Sequence, residues 1–167
     1  MLSKRGQIRF LHYFFALLLP GVHAFPSLQA ETQVGYESLI VYKSPTCGCC
    51  TKWVEHAETA GFETEIQHRK SLDNVKRRYQ INPRHQACHT TVSSSGYVFE
   101  GHIPAKFIQR FLQEKPSGAR GLIVPRMPAG SPGMEYGHQF SPYQVMMMRE
   151  DGSYRLYSSI TQQQEQY

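Results

Sequence analysis

From Ser38 onward the apolar positions fall into short runs that follow two periods. Ser38–Lys43 is apolar through its middle, Leu39-Ile40-Val41-Tyr42, as a buried strand would be. Ser44-Pro45-Thr46 turns the chain. A helix is then expected to start near Cys47–Cys50 and run to about Ala60. Trp53, Val54, Ala57 and Ala60 fall on one of its faces, and Gly61 stands where a helix commonly ends. Phe62–His68 alternates as a second strand would. Ser71 is placed to cap a second helix that runs to about Tyr79 and closes at Ile81-Asn82-Pro83. Ala87–Ser93 and Tyr97–Glu100 read as two strands around Ser94-Ser95-Gly96, a hairpin signal. Pro104 introduces a third helix with Phe107, Ile108, Phe111 and Leu112 on its core face.

From Pro116 to Pro142 the chain is rich in Pro and Gly and is expected to be irregular. Gln144–Arg149 and Ser153–Ser159 form a terminal hairpin about Asp151-Gly152, and Thr161–Tyr167 is a polar tail. No internal repeat is visible. The expected order is β–α–β–α–β–β–α with an appended loop and hairpin. Periodicity alone supports an α/β domain.

The N-terminus changes the picture of where the protein works. Lys4, Arg5 and Arg9 form a positive region, Phe10–Leu19 an apolar one broken by Pro20-Gly21, and Val22-His23-Ala24 a small-residue cleavage site. Residues 1–24 therefore read as a signal peptide, with Leu28-Gln29-Ala30 as a second site, cut as late as residue 30. The apolar run is short for a membrane span, so the expectation is export to the periplasm without stable membrane insertion; the alternative is an uncleaved anchor. Residues 38–160 form the single domain expected, with 161–167 as the tail. Of the formal charge of +5, three units belong to Lys4, Arg5 and Arg9. The remainder gives no case for nucleic acid. Arg69-Lys70 and Lys76-Arg77-Arg78 read as a solvated helix face.

The chemistry lies in the cysteines. Cys47-Gly48-Cys49-Cys50 follows the first strand, and Cys88 beside His89 completes the set of four. An exported protein meets oxidising conditions. A bridge between the neighbours Cys49 and Cys50 would be strained. Either Cys47 pairs with Cys50 or Cys49 in a redox cycle, or a metal holds the thiolates, or two inert disulfides tie residues 47–50 to Cys88. A cysteine at a helix N-terminus has a lowered pKa, and its thiolate serves equally as exchange nucleophile and as soft-metal ligand. Cys47 and Cys50 alone match a redox pair placed at a strand-to-helix turn, which is the thioredoxin-like pattern. The third thiol, Cys49, would offer a competing internal disulfide, whereas three thiolates in one turn plus Cys88 can bridge several ions. That donor set favours Cu(I) over zinc.

His89, Met127, Met134 and His138 are the further candidate ligands. Strand alternation sends Cys88 and His89 to opposite faces unless the strand starts later. Met146-Met147-Met148 reads as sheet packing. Trp53 reads as core, His56, His68, His85 and His102 as surface or supporting residues, and Ser44 and Thr46 as hydrogen-bond donors to the thiolates.

Three segments together resemble a known family. Val41-Tyr42-Lys43-Ser44-Pro45-Thr46-Cys47-Gly48-Cys49-Cys50, Ala87-Cys88-His89-Thr90, and Gly118-Ala119-Arg120-Gly121-Leu122 with Pro128-Ala129-Gly130-Ser131-Pro132-Gly133-Met134-Glu135 are similar to those of CopG-like periplasmic copper-resistance proteins, from about Ser38 to Met148. The resemblance implies a thioredoxin-like fold with the Pro/Gly-rich loop and C-terminal β-hairpin appended. It also implies a copper cluster bridged by Cys47, Cys49, Cys50 and Cys88, and a role in copper tolerance. The expected function is copper resistance by sequestration or by copper redox interconversion, alongside other periplasmic copper-handling proteins. The rivals are a thiol–disulfide oxidoreductase using Cys47 and Cys50, and a copper chaperone that delivers single ions. Whether the protein is an enzyme, acting on copper or on thiols, stays open at this level.

Overall fold

The computed structural model describes residues 36–167; the expected signal peptide lies outside them. Seven strands and three helices make up a mixed α/β domain. They follow the order β1 (Leu39–Lys43), α1 (Gly48–Thr59), β2 (Thr64–His68), α2 (Asp73–Arg78), β3 (His89–Ser93), β4 (Val98–Glu100), α3 (Ala105–Glu114), β5 (Ala119–Ile123), β6 (Tyr143–Arg149) and β7 (Tyr154–Ile160). Short 3-10 turns occupy Pro83–His85 and Gln163–Gln166. The strands form one sheet in the order β2-β1-β3-β4-β5-β6-β7. β1 runs parallel to β2 and antiparallel to β3, β3 pairs antiparallel with β4, and β4 is parallel to β5. Among the described residues no helix is long and apolar enough to cross a membrane.

The main core lies on one side of the sheet. Leu39 and Val41 of β1, Trp53, Val54 and Ala57 of α1, and Phe107, Ile108, Phe111 and Leu112 of α3 are all buried there. These are the helical faces expected from the spacing of apolar residues. Trp53 has no solvent exposure, and its indole N–H donates to the Ile103 carbonyl at 2.9 Å. A smaller cluster of Ile81, Val98, Ile123 and Met148 packs on the other side, with Met146 against it, while Met147 faces the main core. The methionine run is therefore sheet packing, alternating between two faces.

Three expectations need correction. The Pro116–Pro142 segment contains β5, an almost wholly buried interior strand. Gly121 hides it from an apolar-run reading, yet the strand depends on that glycine. Its φ is +146°, and a Cβ there would lie 1.7 Å from the Val98 carbonyl oxygen of β4. The second helix begins after Leu72, not Ser71; the Ser71 hydroxyl instead accepts from the Asp73 N–H at 3.2 Å. Lys76 is not part of a solvated face. It is buried in an ion pair with Glu100, while Arg69, Lys70, Arg77 and Arg78 remain exposed. The polar tail packs on the domain through Gln166, which is buried, accepts from the Tyr143 hydroxyl and donates to the Gly130 carbonyl at 2.8 Å.

Candidate metal centre

The site forms where the C-terminal end of β1, the start of α1 and the entry to β3 converge. Cys47 is the N-cap of α1, and its Sγ accepts from the Cys50 N–H at 3.3 Å. The helix therefore begins on the cysteines, with its free N–H groups and positive end directed at sulfur. Cys47 and Cys50 form a disulfide with a Cα–Cα distance of 5.4 Å, and Cys49 and Cys88 are free thiols. Cys49 Sγ lies 3.4 Å from Cys47 Sγ and 4.0 Å from Cys88 Sγ. Cys50 Sγ lies 3.8 Å from the Cys88 carbonyl oxygen. All four sulfurs fall within 4.8 Å of one another. Residues separated by dozens of positions thus meet at one soft donor set.

Strand β3 starts at His89, two residues later than the expected Ala87. Cys88 therefore precedes the pleated region and is not bound by its alternation. Both Cys88 and His89 reach the site, with His89 Nδ1 3.4 Å from Cys88 Sγ. His102 is expected from the sequence to be a surface or supporting residue. It is buried, not on the surface, and its Nε2 lies 2.9 Å from Cys88 Sγ. Its Nδ1 lies 2.8 Å from the Pro132 carbonyl, which can only accept. Nδ1 must then carry the proton, which leaves the Nε2 lone pair aimed at Cys88. Histidines that ligate metals are commonly oriented in this way. Cys88, His89 and His102 form a second group whose donor atoms lie within 4.8 Å of one another. His89 Nε2 is buried without a hydrogen-bond partner. A buried polar atom left without a partner is costly, so this nitrogen is open to a bound water or ligand.

Electrostatics keep these groups neutral when no metal is bound. Burial pushes the Cys88 thiol up to about 12, helped by the neighbouring Cys49. Burial also holds His89 well below its ordinary value, and the Lys76 and Lys43 charges, with His102 when it is protonated, act in the same direction. His102 is lowered chiefly by burial, against the Pro132 hydrogen bond and Glu135. Neutral imidazoles are the form that binds metal.

The loop after β5 closes over the helix start. Gly133, with φ +84°, sits where a Cβ would lie 2.6 Å from the Cys49 carbonyl oxygen and 2.8 Å from the Trp53 nitrogen. Met134, half-buried, follows on that loop; Met127 is 47% exposed and His138 is exposed. Neither ligand group contains His138. Ser44 and Thr46 bond each other, Oγ to Oγ1 at 3.1 Å, in place of the expected donation to sulfur. His56 is half-buried, and its Nε2 accepts from the Ala105 N–H at 3.0 Å.

Fold and site together define a mixed α/β protein built around a sulfur-rich, imidazole-flanked group able to hold metal. Two solved structures, forms 1 and 2 of a copper resistance protein CopG, match it at 32% identity, with TM-scores of 0.69 and 0.70. Each match covers 74% of this chain, and 97% and 98% of the two matched chains. The chain belongs to the CopG family. Residues 85–134 match a family model described as a protein of unknown function, DUF411. A search of the curated proteins finds no match.

Proposed function

We propose that this protein acts in copper resistance by holding several Cu(I) ions on bridging thiolates of Cys47, Cys49, Cys50 and Cys88. The observation that carries the reading is the convergence of all four sulfurs within 4.8 Å at a helix N-terminus. Thiolate is soft and can bridge two ions, so four of them in this space suit a cluster of Cu(I) better than one zinc ion. Names of the matched CopG structures support the metal and the role. His89 and His102 would complete or orient the site from the β3 side, and Met134 stands next to the loop that closes it. Met127 and His138 remain candidates only if the loop rearranges.

The Cys47–Cys50 disulfide must be reduced before its sulfurs can take Cu(I), so metal loading is coupled to thiol redox state. Redox interconversion of copper and plain sequestration both follow from such a site. A thioredoxin-like core is part of the proposal. Its supports are the β2-β1-β3-β4 order, the directions of those strands and the cysteine pair at the first strand-to-helix turn. Export by a signal peptide over residues 1–24, cut as late as residue 30, places residues 38–160 and the 161–167 tail in the periplasm among other copper-handling proteins.

The test is copper content and thiol protection after anaerobic reduction and loading with Cu(I). More than one copper per chain, with all four thiols shielded from alkylation, is the expected result. Cys49→Ser and Cys88→Ser should each abolish multinuclear binding; unchanged stoichiometry in both would sink the cluster. One observation favours a second reading, thiol–disulfide exchange: the Cys47–Cys50 disulfide itself. It predicts turnover on disulfide substrates without copper and indifference to the same two substitutions.

A further inference from the structure

We infer that the four cysteines are two exchangeable dithiols, Cys47/Cys50 and Cys49/Cys88, that together donate four electrons to cupric ions. The inference rests on the copper reading of the site and names the oxidised ion as its substrate. Cys47 and Cys50 already show one pairing as a disulfide. The remaining thiols are the two free cysteines of the described residues, and their sulfurs lie 4.0 Å apart across the gap between α1 and the entry to β3. Closing that gap to a bond requires a movement of about 2 Å, the difference from an ordinary S–S length. Both cysteines are half-buried rather than sealed from solvent.

Each dithiol gives up two electrons and two protons as its S–S bond forms, and two Cu(II) become two Cu(I). The complete reaction oxidises four thiols to two disulfides, reduces four Cu(II) to four Cu(I), and releases four protons. No other oxidant or reductant enters.

Cys49 also connects the two pairs. Its sulfur lies 3.4 Å from Cys47 Sγ, within reach of the Cys47–Cys50 disulfide. Attack by the Cys49 thiolate forms a Cys47–Cys49 bond and expels Cys50 as thiolate. Cys88 then attacks Cys49 as it loses its proton, forming Cys49–Cys88, and the proton passes to Cys47, which leaves as the thiol. Electrons are conserved in this isomerisation: one disulfide is lost and one gained, and Cys47 and Cys50 return to the reduced state at the helix start. This gives Cys49 a purpose that a simple Cys-x-x-Cys pair lacks.

The experiment mixes fully reduced protein anaerobically with excess Cu(II) and a chromogenic Cu(I) chelator. The readouts are Cu(I) released per chain, the mass of the product and its disulfide-linked peptides. Wild type should deliver four Cu(I), lose the mass of four hydrogens and show Cys47–Cys50 and Cys49–Cys88 linkages within one chain. Cys49→Ser, Cys88→Ser and the Cys47→Ser/Cys50→Ser double variant should each deliver two. Peptide mapping of wild type needs no variant to fold. Two Cu(I) per wild-type chain, with Cys49 and Cys88 still open to alkylation, overturns the inference. If directly added Cu(I) is nonetheless held by all four thiols, only the electron-donor inference falls. If four electrons are delivered but fully reduced protein, loaded separately with Cu(I) and without chelator, retains none, the storage reading falls instead and the two dithiols stand.

Discussion

Two buried polar clusters lie back to back on the sheet, and they differ in one respect. On the α2 side, Thr90 of β3, Glu100 of β4 and Lys76 of α2 bond one another. The Thr90 hydroxyl donates to Glu100 Oε2 at 2.6 Å, Lys76 pairs with Glu100, and Glu100 Oε1 also accepts from the Ala87 N–H at 2.7 Å. On the α1 side, His89 is the cross-strand partner of Lys43, rests on Trp53 with ring centroids 4.5 Å apart, and leaves Nε2 without a partner. Lys43 is also buried there. One cluster satisfies its own groups and the other does not. The first is built to hold the backbone before Cys88 in place. The second leaves a buried nitrogen open, at a cost that a bound water or metal would relieve.

Removing one partner from each cluster should separate these roles. Glu100→Ala leaves Lys76 buried and unpaired and frees the Ala87 N–H. Breaking a buried pair in this way costs about 3–5 kcal/mol. Denaturant unfolding of metal-free protein should show the loss as a lower midpoint. Burial pushes the Glu100 carboxyl up even against Lys76, so a volume-matched apolar replacement of both partners, Lys76→Met with Glu100→Met, should recover most of the loss. A double variant no more stable than Glu100→Ala would show that the pair is itself the stabilising element.

His102→Ala tests the other cluster and should act in the opposite sense. It removes the donor aimed at Cys88 but leaves no charge behind. Copper affinity should fall about 10- to 100-fold, about 1.4–2.7 kcal/mol, as for other groups that orient a metal site. The metal-free unfolding midpoint should move less than in Glu100→Ala. Competition against a Cu(I) chelator gives the first number and denaturant unfolding the second. Equal affinity to wild type would make His102 a packing residue.

The contrast also explains what could be read from sequence. Four cysteines, three of them within one turn, announce soft-donor chemistry by density alone, and the helix beginning at Cys47 follows from the turn before it and the apolar face after it. Strand β5 was illegible because its register requires Gly121, the residue that interrupts its apolar run. His102 could not be told from His56, His68 and His85 for a different reason. It lies in Gly101-His102-Ile103-Pro104, between a strand and a helix, where no period assigns a side chain to a face. The available signal was its setting: Gly101 and Pro104 mark a tight connection that leads from a buried strand end. Lys76 and Glu100 find each other only through the β3–β4 pairing, which no local pattern encodes. Strand alternation correctly conflicted with Cys88 and His89 sharing a site, and the later start of β3 resolved the conflict.

A smaller effect, the response to acid, distinguishes the two faces once more. His89 and His102 have folded-state values below their ordinary one, so the unfolded chain binds more protons than the folded chain as pH falls through about 6.5. Their contribution to metal-free stability is therefore present above that pH and is lost progressively below it. Glu100 has the opposite sign: its folded value is raised, so protonation near and above pH 4.5 favours the folded state. Metal-free stability should thus fall as pH drops below about 6.5, and the Glu100 gain should make that fall less steep as pH approaches about 4.5. The His89→Ala/His102→Ala variant should lose the first decline and keep the second feature. Denaturant midpoints across this range check both, and an unchanged slope in the double variant would assign the acid response to groups away from the cysteines.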